Sequence, residues 1–335
     1  MPPKGGLCVL GLIVAMGFAG PAAAGELPDT MERPGGFPER PLRLIVPYGS
    51  GGGSAQVSRA MAQAVTGHTG VAIEPEYIPG GSGMDGLKAY MATPADGYTV
   101  LEHIDDATSA FASGKSDVHP GRDLVPLVIA QITFSQIYIR GNETRFSDWA
   151  SFVEYARARG RRTTMANVSR QGSMERLNMN RIAQHFGFRI QQISFDKPAP
   201  RYEALRSARV DALFEQPGDV KGFLDSGDFK PILTLLAERP PAFAGVPSMK
   251  DVGLAFTPLM RFRGFYVKTG VPEDRLKWLQ WAFQKGFAQP GFQAFNKKKF
   301  MDLIPSFRDT DGAIALIEET MDVYRKTYKE MGLIE

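Results

Sequence analysis

A short apolar run, a glycine-rich turn and an amphipathic helical pattern follow one another twice in the first third of the chain. The first unit consists of the run Leu42–Val46, a turn over 47–53 with four glycines, and a helical pattern over 54–65. The unit is repeated over 71–91, and a third apolar run follows over 98–104. Strands that alternate with helices in this way are typical of mainly parallel sheets with helices on both faces. The sequence therefore predicts an α/β fold.

The remainder of the chain continues the alternation and is long enough for a second lobe. Helical patterns over 147–158 and 173–186 alternate with strand-like runs over 163–168 and 190–195. Further strands are predicted over 210–215, 231–236 and 263–267, and further helices over 272–287 and 310–331. A chain of about 310 residues after removal of a leader exceeds one comfortable hydrophobic core. The length therefore indicates two lobes.

The first 24 residues have the organisation of a secretory signal. Lys4 precedes an apolar run over 7–18, and three alanines follow at 22–24. The run is too short to span a bilayer, and this order of charge, apolar run and small residues is typical of a cleaved export signal. We therefore expect a signal peptide over 1–24 and a mature chain in the periplasm. Cys8, the only cysteine, lies in the signal, so the mature chain would have no thiol ligand or disulfide.

Charge and residue spacing give no indication of nucleic-acid binding, metal binding or nucleophilic catalysis. The formal net charge is +3, and the clearest basic cluster, 297–299, has no interleaved aromatic residues. The four histidines lack metal-ligand spacing, and the G-x-S-x-G pattern of a serine nucleophile is absent. His103 stands close to Glu102 and Asp105, where a hydrogen bond to a ligand or loop is the favoured role. We expect no metal, no cofactor and no catalytic residue.

The turn 49–54 is the most informative candidate binding feature. Its glycines let backbone N–H groups approach a ligand, and the helix that follows presents its positive end, which suits a carboxylate or a phosphate. A second strand-to-helix junction over 167–173 is a candidate partner. We expect Ser54 and Ser173 to cap their helices, and either hydroxyl could also bind a ligand. The turn lacks the lysine of a P-loop, and Ser54 stands where a dinucleotide-binding motif has its third glycine.

Several segments of the chain, taken together and in order, match one family of receptors: 41–47 with 51–54, 79–83, 94–99, 210–214, and 247–249 with Gly253. In these segments, which are spread over nearly the whole mature chain, the sequence resembles the periplasmic solute receptors of the tripartite tricarboxylate transporters, or Bug receptors. The resemblance implies two Rossmann-like lobes of the periplasmic-binding-protein type. They would close on a ligand held in the cleft by two glycine-rich loops, often through its carboxylate and ordered water. With the number of elements, it also implies one lobe over 25–135 plus 258–335 and another over 136–257.

The resemblance also indicates which residues would contact the ligand. By position in the family pattern they are Tyr48, Gly51, Gly52, Gly53, Ser54, Asn167, Ser169, Arg170, Gly172, Ser173, Phe195 and Glu215. Three further candidates are positions where this chain departs from the family: Ala55, His103 and Asp105. Relatives commonly carry Asp at the first of these positions, and their third strand usually ends in small neutral residues.

Asp105 and Asp106 follow the third strand, at the edge of the sheet where open α/β folds bind ligands. Carboxylates there would repel a bare polycarboxylate. We favour a solvent-facing position for at least one of them. Two alternatives are that they pair with basic residues on the rim, or that the ligand carries an amine, amide or hydroxyl group near Asp105. Arg170 could pair with a ligand carboxylate or with Asp105.

The sequence as a whole predicts a non-catalytic, monomeric binding protein that captures a small carboxylate-bearing metabolite outside the inner membrane. By the resemblance, its partners would be the integral-membrane subunits of a secondary transporter, and no nucleic acid is expected. Two alternatives stay open at this point. One is a periplasmic lyase or hydrolase that uses His103 with Asp105 or Glu215. The other is a receptor that serves a sensor kinase.

Overall fold

Apolar strands and amphipathic helices alternate through residues 27–168 and 170–335, which are the residues described by the computed structural model. The strands are β1 Leu42–Val46, β2 Ile73–Tyr77, β3 Thr99–Ile104, β4 Leu124–Thr133, β5 Gln136–Arg140, β6 Thr164–Asn167, β7 Gln191–Ser194, β8 Ala212–Glu215, β9 Phe229–Thr234 and β10 Arg261–Lys268. The helices are α1 Gly53–Thr69, α2 Met84–Met91, α3 Asp106–Ala112, α4 Trp149–Arg159, α5 Met174–Phe186, α6 Pro198–Arg206, α7 Lys221–Asp225, α8 Glu273–Ala288, α9 Pro290–Lys298 and α10 Thr310–Glu330. The predicted signal peptide, Cys8 and Ser169 lie outside the described residues.

The strands form two five-stranded sheets with the same arrangement. The first sheet has the order β2-β1-β3-β10-β4, and the second has the order β7-β6-β8-β5-β9. In the first sheet β10 runs antiparallel to both of its neighbours, and in the second β5 does so. The other strand pairs are parallel. The prediction of two α/β lobes is therefore confirmed, with one antiparallel strand in each mainly parallel sheet.

In each sheet, the antiparallel strand is the first strand that the chain forms after it crosses from the other sheet. Strand β5 follows β4 after only two residues, 134 and 135. Strand β10 follows β9 after the segment 235–260 and returns the chain to the first sheet. The last helix, α10, then packs on α3 and β4 of the first lobe. Two strand connections thus join the lobes side by side and leave a cleft between the carboxyl ends of their parallel strands.

The first lobe has a core in which residues spaced three or four apart on a helix pack against the sheet. On α1 these residues are Val57, Met61 and Val65, all fully buried. On α10 they include Ile317, Met321, Tyr324 and Tyr328. This spacing places them on one helical face, so burial of that face holds the helices on the sheet.

The local details differ from the sequence prediction at several element ends. Strands β4 and β5 were not predicted, because the run from 124 to 140 is largely apolar and has no Gly, Asn or Asp to divide it. The N-cap of α4 is Asp148, which accepts a hydrogen bond from the Ser151 amide, and not Ser147. One of the four scattered histidines, His119, is buried against Phe111.

The close approach of α2 to the end of β1 gives a test of this packing. A Cβ atom at Gly86 would lie 2.6 Å from Pro47 Cβ and 2.9 Å from the Ile78 carbonyl oxygen. Because the core there cannot yield without a backbone shift, we expect Gly86→Ala to lower the free energy of unfolding by about 1–3 kcal/mol. Denaturant unfolding of the mature chain measures the change.

The matched control is Gly67→Ala near the end of α1, where an added Cβ would meet no atom within 4 Å. Alanine in an open helical position should raise the free energy of unfolding by about 0.4–1 kcal/mol, because it restricts the unfolded chain. Equal effects of the two substitutions would contradict the packing of α2 described here.

Candidate functional site

The cleft between the lobes is closed and contains a cavity of about 40 Å³. Tyr48 and Ser54 line it from the first lobe, and Glu215 and Asp219 line it from the second. This volume is small beside the roughly 300–1,000 Å³ that is typical of ligand pockets. The two lobes therefore contact each other directly where the carboxyl ends of their strands meet.

The glycine turn that follows β1 forms one wall of the cavity. It packs against the second lobe, since a Cβ atom at Gly49 would lie 3.0 Å from Pro198 Cδ and one at Gly52 would lie 3.2 Å from Pro198 Cγ. Helix α1 begins at Gly53, with Gly52 as its N-cap and no side-chain capping bond. The expectation that Ser54 caps this helix is therefore wrong. The first turn of α1 presents uncapped backbone N–H groups, which favour an anion.

The loop opposite, which follows β6, is held by hydrogen bonds within the protein. Asn167 Nδ2 donates to Gln192 Oε1 at 2.7 Å, and the Gly172 carbonyl oxygen accepts from the Tyr328 hydroxyl at 2.7 Å. Ser173 is the N-cap of α5, as expected, but makes no side-chain capping bond. Arg170 donates to Ser109 Oγ at 3.1 Å, so it does not pair with Asp105.

Asp105 and Asp106 are both fully buried, so the expectation that at least one faces solvent is wrong. Asp105 accepts from Arg261 Nη1 at 2.5 Å and from the Tyr324 hydroxyl at 2.7 Å. The pairing with basic residues on the rim is also wrong, because Arg261 itself is buried. Burial raises the pKa of Asp105 to about 6, although the positive charge of Arg261 opposes the rise.

Arg261 also reaches the second lobe, where it donates to the buried carboxylate of Glu175 on α5. Burial raises the pKa of Glu175 to about 7, and Arg261 opposes this shift as well. One guanidinium thus joins carboxylates from both lobes behind the cavity.

A second arginine of β10 joins the lobes at the cavity itself. Arg263 Nη2 donates to Asp219 Oδ2 at 2.5 Å, and its Nη1 donates to Gln131 Oε1 at 2.9 Å. On the second-lobe wall, Arg201 is ion-paired with Glu215, which also accepts from the Tyr202 hydroxyl at 3.1 Å. Every arginine that lines the cavity in the described part of the chain therefore has a carboxylate partner.

His103 lies on β3 and is buried next to Tyr48. Its Nδ1 accepts from the Ile104 amide at 2.9 Å and is 3.5 Å from the Tyr48 hydroxyl. Burial lowers the pKa of His103 to about 4, so the ring is neutral at neutral pH. A ring with this pKa is a weak general base, and the geometry favours a structural hydrogen bond.

Glu102 is a buried carboxylate beneath the start of α1. Neither of its oxygens makes a hydrogen bond of ordinary geometry, although the Ser54 hydroxyl is near enough to affect its pKa. Burial raises the pKa of Glu102 to about 7, and Ser54, Arg263 and Arg261 oppose the rise. Ionisation of Glu102 is therefore unfavourable, and its carboxyl group lies close to the candidate anion site at the start of α1.

The predicted residues fall into two groups by position. The cavity is lined by Tyr48, Gly52, Gly53, Ser54 and Glu215. The cavity lining does not include Gly51, Ala55, His103, Asp105, Asn167, Arg170, Gly172, Ser173 or Phe195. Among the latter, Gly51 is exposed and Phe195 packs on the core of the second lobe.

Known proteins resemble this chain in sequence and in its two-lobed fold. Residues 57–333 match the family described as the tripartite tricarboxylate transporter family receptor. The chain belongs to this receptor family. The family is one of binding proteins, so the prediction of a solute receptor rather than an enzyme is confirmed.

Curated relatives and solved structures agree with this assignment. Protein BugT of Bordetella pertussis is 25% identical over 252 residues, which are 74% of this chain and 73% of BugT. The solved structure of the periplasmic binding protein BugD has a TM-score of 0.79 and 20% identity, and covers 89% of this chain and 99% of BugD. The structure of MatC from Rhodopseudomonas palustris with bound malate has a TM-score of 0.77 and 19% identity, and covers 87% of this chain and 99% of MatC.

Sequence reasoning missed several residues of this receptor's cleft, among them Arg201, Asp219, Arg261 and Arg263. One signal was visible, because Arg261 and Arg263 alternate with Phe262 at the start of an otherwise apolar strand. Alternation places both arginines on one face of β10. In the described residues, no group of three or more His, Cys, Asp or Glu side chains could hold a metal ion, and no helix could cross a membrane.

The buried carboxylate of Glu102 predicts a pH dependence of stability. Its pKa is 4.5 in an ordinary environment and about 7 in the folded receptor, so the folded state holds a proton that the unfolded chain releases. The free energy of unfolding should therefore fall as the pH rises from 4.5 through 7, by about 1.4 kcal/mol per pKa unit, or on the order of 3 kcal/mol. Glu102→Gln should remove this part of the decrease.

Urea unfolding at pH 5 and pH 8 measures the effect, as the difference between variant and wild type at each pH. Glu74→Gln, on strand β2 of the same sheet, is the control because Glu74 is exposed. If Glu102→Gln and the wild type lost the same free energy of unfolding between pH 5 and pH 8, the raised pKa of Glu102 would be contradicted.

Proposed function

We propose that this receptor captures a small carboxylate-bearing metabolite in the periplasm and delivers it to the membrane subunits of a tripartite transporter. The observation that carries the proposal is the uncapped start of α1, which faces the guanidinium of Arg263 in a cleft between two lobes. The structures of MatC with malate and of a second R. palustris protein with adipate, which share this fold, support a carboxylate as the ligand type.

The energies of the individual donors explain why the helix start needs the arginine. A helix N-terminus contributes about 0.3–1 kcal/mol to an exposed anion and up to about 2 kcal/mol in a partly buried site. Hydrogen bonds to charged groups add about 1.5–3 kcal/mol each. The α1 amides and Arg263 together therefore supply several convergent donors for one carboxylate.

Lobe closure supplies the remaining selectivity. The glycine turn touches Pro198 of the other lobe, so a ligand held at the start of α1 would be enclosed when the lobes meet. We propose the division into 25–135 plus 258–335 and 136–257, supported by the membership of the two sheets. We also propose that the receptor acts as a monomer, because one chain provides both walls of the cleft.

The low pKa of His103 and the pairing of Glu215 with Arg201 argue against the lyase or hydrolase alternative. His103 is therefore a weak base, and the Glu215 carboxylate is held by Arg201 and Tyr202.

Closure can be tested with Gly49→Val. Valine at this position would hold the turn away from Pro198, so we expect carboxylate ligands to bind at least tenfold more weakly, which corresponds to about 1.4 kcal/mol. The melting temperature of the unliganded variant should stay close to that of the wild type. Calorimetric titration of the mature chain with malate, succinate, adipate, glutamate and 4-aminobutyrate measures the change.

The control is Gly245→Val in an exposed turn, where an added Cβ would meet no atom within 4 Å. It should leave every affinity unchanged. Absence of binding for the whole panel in the wild type would contradict the proposed function, and equal affinities in Gly49→Val and wild type would contradict the role of closure.

A further inference from the structure

A carboxylate of the receptor itself lies beside the start of α1. Asp219 follows β8 in the second lobe and reaches across the cleft to the first. A Cβ atom placed on Gly53 would collide with both carboxylate oxygens of Asp219 and with the Arg263 guanidinium. The helix start, the arginine and the aspartate therefore meet at one point of the cavity wall.

This position is the one that the proposed function gives to the carboxylate of the ligand. A ligand carboxylate that takes the Arg263 donors must displace Asp219 from them. Both side chains are buried, with 3% exposed for Arg263 and 6% for Asp219. On closure, the displaced Asp219 would be a buried carboxylate without its cation, which is strongly unfavourable.

The neighbouring cations offer no equivalent replacement. Arg201 is ion-paired with Glu215, and Arg261 is ion-paired with Asp105 and Glu175. Lys299 is partly exposed and lowers the pKa of Asp219, but it does not come within ion-pair distance. A second carboxylate on the ligand would therefore add a negative charge next to Asp219, whereas a cationic group would replace the charge of Arg263.

We propose that the ligand is a zwitterion, with a carboxylate that binds Arg263 and the α1 amides and a cationic nitrogen that binds Asp219. The inference rests on the proposed function and specifies its ligand class. One alternative from the sequence placed a cationic group of the ligand near Asp105. We place this group at Asp219 instead, because Asp105 already has Arg261 and Tyr324 as partners. The exchange leaves Arg263 and Asp219 both paired before and after binding, which a dicarboxylate cannot do.

The test uses sets of three compounds that share one carboxylate and one methylene chain and differ only at the far end. With three methylenes the set is 4-aminobutyrate, glutarate and pentanoate, which end in ammonium, carboxylate and methyl. Because the closed cavity does not fix the spacing, sets with one to five methylenes are titrated by calorimetry into the mature wild-type chain. For at least one length, the ammonium-ended compound should bind at least tenfold more tightly than both of its partners.

Asp219→Asn removes the charge that would bind the cationic nitrogen. It should weaken the ammonium-ended compound at least tenfold, and leave the carboxylate-ended compound unchanged or tighter. Asp228→Asn is the matched control, because Asp228 belongs to the same lobe but is exposed and does not line the cavity. This control should keep the wild-type order of affinities.

A wild type that prefers the carboxylate-ended compounds would overturn the proposal while leaving the carboxylate receptor intact. So would a folded Asp219→Asn variant that binds the ammonium-ended compound within twofold of wild type. If Asp219→Asn does not fold, the wild-type order decides alone. Failure of every compound to bind would instead refute the proposed function.

Discussion

The closed arrangement of the two lobes depends on the guanidinium of Arg261. It is buried on β10 and is paired with Asp105 of its own lobe and Glu175 of the other. Taking an ion out of water is unfavourable by several kcal/mol, and removing one partner of a buried pair typically costs about 3–5 kcal/mol. The acidic residues that end β3 can be buried only because β10 lies beside them, and Glu175 can be buried only when the lobes meet.

The same constraint explains why one chain crosses between the lobes as it does. Strand β10 returns from the second lobe and enters between β3 and β4 with the opposite direction. Its first residues therefore lie at the cleft edge of the sheet, where the parallel strand β3 ends. Alternation then directs Arg261 and Arg263 to one face, so a single inserted strand supplies two cations of the interface.

The sequence predicted the features that depend on neighbouring residues. The glycine turn before α1 and the apolar faces of α1 and α10 follow from local pattern, and the structure contains them. The role of Asp105 could not be predicted, because its partner Arg261 is 156 residues away and only the completed sheet brings them together. Ser54 was assigned as a cap because glycine and serine are both acceptable there, and local chemistry does not choose the first helical residue.

Charge balance links this fold to what the cleft can accept. The backbone that holds the α1 amides is shared with relatives that are about 20% identical, so the fold alone does not select a ligand. The side chains around the cavity do, since each arginine is already neutralised by a carboxylate of the protein. A ligand that enters must replace partners in these ion pairs. The replacement is favourable only when each charged group of the ligand pairs with a protein group of opposite charge. In the binding mode that we propose, the ion pairs that close the cleft therefore also define the charge of the ligand.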